Sequence, residues 1–222
     1  MMLTTVIAQI IRRNTGDEAM DWLEQKAALI RTEERSLQLN LAFAHTPRYT
    51  EKKNLQLEPQ EVQQLADQLP GVAADGWTAD RLARVWLLMQ VPAENKDAYL
   101  KKIDGLFAAA EMNEQVALYS ALPVFSFPEA WLHRCTEGIR SNIGTVLEAI
   151  MYHNPYPAGH LPEPAWNQLV LKAFFTEKDV TRIIGFEERA NHQLSETLKD
   201  YVQERTAAHR TIHPEIHKLI EQ

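Results

Sequence analysis

Carboxylate and guanidinium side chains are concentrated in one stretch of the chain, Arg134–Tyr152. They could serve acid–base chemistry or ligand binding. Glu137 and Glu148 fall on one face of a continuous helix, but eleven residues separate them, or about 16 Å at about 1.5 Å per residue. Paired glycosidase carboxylates lie only about 5–9.5 Å apart, so this spacing is too wide for that reaction. We expect Glu137 either to pair locally with Arg134 or Arg140, or to face a ligand.

The middle of the same stretch contains four poor helix formers. Together they cost a helix about 2–3 kcal/mol relative to alanine. Close helix packing, a buried hydrogen-bond network or a ligand would each offset that cost. Gly144 is expected to let another helix approach closely, and Asn142 either satisfies a backbone group or contacts a ligand. The four are Ser141, Asn142, Gly144 and Thr145.

A proline-rich turn follows this stretch. Asn154-Pro-Tyr-Pro157 is predicted as a rigid loop, because each proline biases the preceding residue away from helical conformation. Between the Arg134–Tyr152 helix and a helix over Pro164–Phe175 we predict a polar cleft. We expect this cleft either to bind a metabolite or a partner, or to be a purely structural hydrogen-bond network. The candidate ligand- or partner-binding residues are Glu137, Arg140, Asn142, Glu148, Asn154, Tyr156, Trp166, Asn167 and Lys172.

Sequence signals for a metal, a cofactor or a nucleophile are missing. His209, His213 and His217 recur every four residues, but Pro214 belongs at a helix start and interrupts the helix that would align them. The sequence contains no phosphate-binding glycine loop and no nucleophile elbow. The single cysteine, Cys135, falls on an apolar face and is predicted to be a small buried hydrophobe. We therefore expect no metal and no cofactor.

The secondary-structure elements that would position these residues are predicted to be helices along the whole chain. Apolar residues recur with a helical period, and polar or proline-marked turns separate the periodic stretches. Only Asn54–Leu57 and Val180–Ile184 have strand-like character. The sequence predicts an all-α fold, either an irregular HEAT-like stack of antiparallel helix pairs or a compact orthogonal bundle. We expect one domain over residues 1–222.

Capping signals set several helix boundaries. Pro59 suits a first helical position, and Thr78 suits an N-cap. Thr46–Asn54 is expected to be a loop. After an amphipathic N-terminal helix, the predicted helices are Asp17–Ile30, Glu33–Ala44, Pro59–Leu69, Ala79–Met89, Asn95–Ala110, Asn113–Leu122, Pro128–Tyr152, Pro164–Phe175, Glu188–His209 and Pro214–Ile220.

Composition narrows the classes of partner. The 222-residue chain has a net charge of −7, with 45% hydrophobic and 24% charged residues, which is ordinary for a globular protein. An acidic surface repels phosphate backbones, so nucleic acid is not an expected partner. No charge-free stretch is long enough to span a bilayer, and the N-terminal apolar run lacks a signal-peptide pattern. We expect a cytoplasmic protein without a membrane span.

The order of several short segments resembles the signature of the EboA family. The resemblance covers most of the chain and is weaker toward the N-terminus. His217 departs from it, since an aromatic residue is expected there. The main segments are Cys135-Thr-Glu-Gly-Ile-Arg-Ser-Asn142, Asn154-Pro-Tyr-Pro157, Ala165-Trp-Asn-Gln168, Leu171-Lys-Ala173 and Arg189-Ala-Asn191.

The resemblance implies a role in metabolite traffic, in which a small-molecule precursor is moved or matured toward the cell envelope. Such proteins belong to a gene cluster shared by bacteria and some algae. The neighbouring proteins in that cluster resemble a prenyltransferase, a metal hydrolase and sugar-isomerase-like or phosphatase-like proteins. The resemblance assigns no catalytic residue.

From these observations we expect a non-enzymatic cytoplasmic binding or adaptor protein that assists traffic or processing of the precursor. Its expected partners are that small molecule or neighbouring pathway proteins. One alternative is an enzyme that acts on the precursor through Arg140, Glu148 and Lys172, with the lysine paired to Glu148. The other is a protein scaffold, which a large exposed apolar patch would favour.

Overall fold

A computed structural model of the protein describes residues 2–220 and confirms the all-α prediction within that range. Thirteen α-helices and four 3₁₀ helices form its regular structure, and no β-strand occurs among these residues. None of the helices is both long and apolar enough to cross a membrane. Residues 1, 221 and 222 of the predicted domain lie outside the described range.

The bounds of the elements follow the chain in order. The α-helices are α1 Leu3–Thr15, α2 Asp17–Thr32, α3 Leu37–Thr50, α4 Pro59–Gln68, α5 Ala79–Leu88, α6 Lys96–Ala109, α7 Met112–Ser120, α8 Leu132–Ile139, α9 Gly144–Met151, α10 Pro155–His160, α11 Glu163–Phe175, α12 His192–Ala207 and α13 His217–Ile220. The 3₁₀ helices are Leu122–Val124, Pro128–Trp131, Val180–Arg182 and Pro214–Ile216.

Helices α2, α4, α5, α6 and α11 begin within one residue of their predicted starts. Local signals explain this agreement. Pro59 is the first residue of α4, where its missing N–H costs no helical hydrogen bond. The Asn95 side chain accepts a hydrogen bond from the backbone N–H of Ala98 at 3.0 Å and so caps α6. Thr78 precedes α5 as predicted, although its side chain makes no capping bond.

The loop predicted for Thr46–Asn54 is wrong over its first half, because α3 continues to Thr50. Pro47 lies inside this helix, so no backbone N–H donates to the carbonyl oxygen of Phe43, four residues earlier. The buried Arg84 side chain of α5 supplies the missing donor, with its Nε 2.9 Å from that oxygen. A long-range hydrogen bond therefore accommodates a proline that local rules place in a loop.

Helix α5 is surrounded by other helices, because α1, α2, α3 and α7 all pack against it. Nine of its ten residues are buried, and two of these are charged. Arg84 donates to Asp80 one turn earlier, with Nη1 2.6 Å from Oδ2. Burial lowers the pKa of Arg84, while the carboxylates of Asp80 and Glu114 act in the opposite direction. The ion pair lets a cation reach α3 through an otherwise apolar interior.

The single helix predicted over Pro128–Tyr152 is wrong. It is divided into a 3₁₀ turn, α8 and α9, with residues 140–143 between the two α-helices. Ser141 and Asn142 fall in that gap, where the Ser141 hydroxyl oxygen accepts a hydrogen bond from the N–H of Ile143 at 3.1 Å. Ser141 and Asn142 therefore lie outside a helix and their share of the propensity cost does not arise, whereas Gly144 and Thr145 begin α9.

The close approach expected at Gly144 occurs instead at Gly138. A Cβ on Gly138 would lie 2.5 Å from Cδ1 of Ile150 in α9 and 2.6 Å from Cε1 of Tyr119 in α7. A Cβ on Gly144 would meet only Lys178 Nζ, at 3.3 Å. Packing continues from α8 to α11 and from α11 to α12, and the buried apolar side chains form one connected core.

Gly138→Ala is expected to lower the free energy of unfolding by about 1–3 kcal/mol, because the added methyl group overpacks three helices. Gly144→Ala is the matched control and is expected to leave stability unchanged or raise it by up to about 1 kcal/mol. Urea denaturation followed by circular dichroism measures both. Equal destabilisation by the two substitutions would contradict this packing.

Asp80→Asn is expected to lower the free energy of unfolding by about 3–5 kcal/mol, since it leaves the buried Arg84 with Glu114, 3.9 Å away, as its nearest remaining carboxylate. Glu24→Gln removes one carboxylate from an exposed pair with Arg12 and is expected to cost less than about 1 kcal/mol. The same denaturation experiment compares them. A loss for Asp80→Asn no larger than that for the control would mean that the buried pair is dispensable.

Candidate functional site

Two small cavities, rather than one cleft, lie beside the residues predicted to form a site. The larger has a volume of about 260 Å³, and we call it the Arg140 cavity. Its lining includes Phe107, Tyr119, Arg134, Glu137, Arg140 and Ser141. The smaller has a volume of about 160 Å³, and we call it the Arg81 cavity. Its lining includes Trp77, Arg81, Glu148, Tyr152, His153 and Arg182.

Asn154 and Tyr156 are buried and bonded to the backbone. The predicted rigid loop is wrong, because these residues begin α10, with Asn154 as the N-cap that accepts from the N–H of Tyr156 at 3.0 Å. Asn154 Nδ2 also donates to the carbonyl oxygens of Tyr119 at 3.1 Å and Ala149 at 2.9 Å. The Tyr156 hydroxyl donates to the carbonyl of Pro128 at 2.6 Å. Both side chains therefore join helices.

Trp166 and Asn167 are also buried. Asn167 exchanges two hydrogen bonds with Asn191, the N-cap of α12, with nitrogen–oxygen distances of 3.2 and 2.8 Å. The Trp166 ring packs against the guanidinium of Arg189, whose Cζ lies 4.7 Å from the ring centroid. Within residues 2–220 no atom accepts a hydrogen bond from Trp166 Nε1. These contacts fasten α11 to the segment that leads into α12.

Glu137 and Arg140 border the Arg140 cavity. Glu137 accepts a hydrogen bond from Arg134 Nη1 at 2.8 Å, which is one of the local pairs expected from the sequence. Arg134 Nε also lies 2.7 Å from Asp104 Oδ1, and the two carboxylates raise the pKa of Arg134. Arg140 is exposed at the end of α8. The charges of Arg134 and Glu137 at this cavity are therefore already paired.

Asn142, Glu148 and Lys172 lie on or near the surface. Lys172 Nζ is 3.2 Å from Asn142 Oδ1. Glu148 is bound by Lys178 instead, with Nζ 2.5 Å from Oε1, so the expected Glu148–Lys172 pair does not form. Arg140 makes no hydrogen bond or ion pair with any of these side chains. The nine residues do not converge on one cleft, and their binding role stays a prediction.

The surroundings of Cys135 and of the C-terminal histidines indicate structural roles. Cys135 is fully buried as predicted, and burial raises the pKa of its thiol to about 12. His213 Nδ1 accepts from the N–H of Glu215 at 3.2 Å and so caps a 3₁₀ turn. His209 has a positive φ of 52° just beyond the end of α12. The three spaced histidines therefore do not share one helix.

Arg81 of α5 lines the smaller cavity, although no sequence pattern singled it out. Its guanidinium stacks on the ring of Trp77, with Cζ 4.0 Å from the centroid, and its Nε donates to Ser120 Oγ at 2.8 Å. Burial lowers the pKa of Arg81 to about 9, against the opposite effect of the Glu148 and Asp80 carboxylates. Arg81 is therefore still a cation at neutral pH.

A second arginine repeats this arrangement on the facing segment. Arg182 Cζ lies 4.3 Å from the centroid of the Tyr152 ring, and its Nε donates to His153 Nε2 at 3.2 Å. Burial and the charge of Arg182 lower the pKa of His153, so the imidazole is neutral at pH 7 and accepts that bond. The Tyr152 hydroxyl accepts from the N–H of Asp179 at 2.8 Å.

The two strand-like segments of the sequence position these side chains. Each forms one isolated antiparallel bridge, Asn54 with Thr78 and Tyr152 with Ile183. His153 adopts a left-handed φ of 49°, and its N–H donates across the second bridge at 2.9 Å. The residues next to the bridges supply aromatic and arginine side chains to the Arg81 cavity. Strand-like segments in a helical sequence were therefore the available signal for this cavity.

The Arg81 cavity offers hydrogen-bond donors in fixed positions. Each guanidinium has one face against an aromatic ring and its Nε already bonded, which restricts its rotation. Across residues 2–220 no three His, Cys, Asp or Glu side chains are grouped as metal ligands, and the expectation of no metal stays a prediction. The arrangement can hold and orient a polar group of a ligand.

The sequence matches a family model that is described as Metabolite traffic protein EboA. The match covers residues 3–221, nearly the whole chain. Comparison with curated proteins and with solved structures gives no match.

Asn154→Ala is expected to lower the free energy of unfolding by about 2–4 kcal/mol, because it removes a cap and leaves two buried carbonyls without their donor. Asn142→Ala, at an exposed position, is expected to change it by less than about 0.5 kcal/mol. Urea denaturation compares the two. A large loss for Asn142→Ala would assign it a structural role that its contacts do not suggest.

Proposed function

Because the chain belongs to the EboA family of metabolite traffic proteins, we propose that it is a non-enzymatic cytoplasmic binding and adaptor protein. In this proposal one domain, residues 1–222, holds a small-molecule precursor and presents it to neighbouring pathway proteins for transport or processing. Nucleic acid and a metal take no part.

The observation that carries this proposal is the Arg81 cavity, where rigidly held polar groups converge on a void of about 160 Å³. Cavities that enclose a whole drug-sized ligand measure about 300–1,000 Å³. The Arg81 cavity is smaller, so it receives one functional group while the rest of the molecule extends outside. A ligand held by one end is accessible to a second protein, as an adaptor requires.

The enzyme alternative depends on Arg140, Glu148 and Lys172 acting on one substrate. Glu148 is engaged by Lys178, Lys172 contacts Asn142, and Arg140 lines the other cavity. A general acid or base must reach the reacting proton within about 3.2 Å or through one water, so these positions favour binding over catalysis.

One observation supports the scaffold as a second candidate. Helix α3 exposes Leu37, Leu41 and Tyr49, which are spaced by multiples of four residues along one face. Trp22 of α2 stacks on Tyr49, with ring centroids 4.0 Å apart. Exposed apolar residues grouped in this way are typical of a protein-binding surface. The two roles are compatible, since this face does not line the Arg81 cavity.

The decisive experiment incubates purified protein with extracts of cells that carry or lack the surrounding gene cluster and identifies retained molecules by mass spectrometry. We expect a compound retained from the first extract alone, with its mass unchanged by the protein. Turnover of that compound, abolished in Glu148→Gln, would replace the adaptor with an enzyme. Retention of pathway proteins without any small molecule would favour the scaffold.

Two tryptophan variants localise the binding. Trp77→Leu is expected to reduce the retained compound about tenfold, because a cation–π contact of about 1–2 kcal/mol orients Arg81. Trp22→Leu is the control on the α2–α3 surface and is expected to leave retention unchanged. If Trp22→Leu alone abolishes retention, the ligand binds at that surface and the Arg81 cavity is not the site.

A further inference from the structure

The charges of the two cavity arginines are not matched by acidic partners. Several other arginines of this protein contact a carboxylate directly, with the shortest distances in the pairs Arg13–Glu61 at 2.6 Å, Arg84–Asp80 at 2.6 Å and Arg134–Asp104 at 2.7 Å. Arg81 bonds only the neutral Ser120 hydroxyl and Arg182 only the neutral His153 ring. Within residues 2–220, neither forms an ion pair.

The carboxylates closest to the cavity do not fill this role. Glu148 lines it, but the Lys178 ammonium lies 2.5 Å from Glu148 Oε1 and neutralises it. Asp75 also lines the cavity, yet it is exposed and contacts no arginine. With Glu148 neutralised by Lys178, the lining of the cavity holds two arginines and one further carboxylate, that of the exposed Asp75. Arg81 is half-buried, and a partly desolvated cation without a direct counterion is costly, which the lowered pKa of Arg81 reflects.

In both arginines, the N–H groups that lack an acceptor are those on the two terminal nitrogens of the guanidinium. In each case Nε is bonded and one face lies on an aromatic ring, Trp77 for Arg81 and Tyr152 for Arg182. No described atom accepts a hydrogen bond from the terminal Nη1 and Nη2 atoms of either residue. Paired guanidinium nitrogens match the oxygens of carboxylate and phosphate groups.

We propose that the Arg81 cavity binds an oxyanion, a carboxylate or phosphate group, through the terminal nitrogens of Arg81 and Arg182. The volume of about 160 Å³ equals about five water molecules at about 30 Å³ each, which suits one such group. The identity of the ligand as a trafficked metabolite rests on the function proposed above, whereas oxyanion binding is measurable on the protein alone.

The test is isothermal titration calorimetry of the full chain with inorganic phosphate and, separately, with acetate, in a low-salt zwitterionic buffer. We expect saturable one-to-one binding of at least one anion, and the comparison tells phosphate from carboxylate recognition. Arg81→Gln and Arg182→Gln are each expected to weaken binding about tenfold or more, because each removes charge-assisted hydrogen bonds. Arg48→Gln, at an exposed arginine of α3, is the matched control and is expected to bind as the unchanged protein does.

Folding of each variant is checked by circular dichroism and thermal unfolding. Without added anion, Arg81→Gln is expected to unfold at a temperature no lower than that of the unchanged protein, since it removes a half-buried charge that has no direct counterion. Arg182→Gln, on another segment, tests the site independently. Absence of saturable binding for both anions, or an equal loss in Arg48→Gln, overturns the proposal.

The two proposals fail separately. A compound retained from extracts by a protein that binds neither anion leaves the adaptor function intact and removes the oxyanion site. Saturable anion binding that depends on Arg81, without any retained compound, establishes the oxyanion site and removes the metabolite-binding role.

Discussion

The hydrogen bonds of the buried Arg84 guanidinium are the interactions on which the packing of α5 against α3 depends. The guanidinium bonds Asp80 on its own helix and the Phe43 carbonyl that Pro47 leaves without a backbone donor. A cation in this position joins α5 to α3 where apolar side chains alone would leave a polar group unsatisfied. Because four helices pack against α5, this one side chain influences how all of them fit together.

Much of the helical framework was predictable, because periodicity and capping are local properties. The start of α4 at Pro59 and the Asn95 cap of α6 are set by residues a few positions apart. The errors arose where distant contacts decide. Pro47 remains in a helix only because Arg84 reaches it, and Gly138 admits neighbouring helices from both sides for reasons that no local pattern contains. The weak helix formers after Arg140 did mark an unusual place, but they mark a break between helices.

The sequence indicated the region of the candidate site, but it did not identify most of the residues that line the Arg81 cavity. Glu148 lines the Arg81 cavity, whereas Asn154 and Asn167, equally polar in the sequence, serve as structural hydrogen-bonding groups. Arg81 was overlooked because an arginine on an amphipathic helix is ordinarily solvated. Only the tertiary fold places it beside Arg182, one hundred and one positions later in the chain. The strand-like segments were the signal for this place in the fold, because each forms a short bridge that holds irregular backbone beside the cavity.

The oxyanion site proposed above would also influence how long the protein persists in a cell. An anion bound beside Arg81 would stabilise the folded state by an amount that grows with the logarithm of the anion concentration. An anion at about one hundred times its dissociation constant adds about 2.7 kcal/mol. Proteases that degrade transiently unfolded chains would remove empty protein first. The steady-state amount of this protein would then rise and fall with the supply of the anion that the proposed site binds.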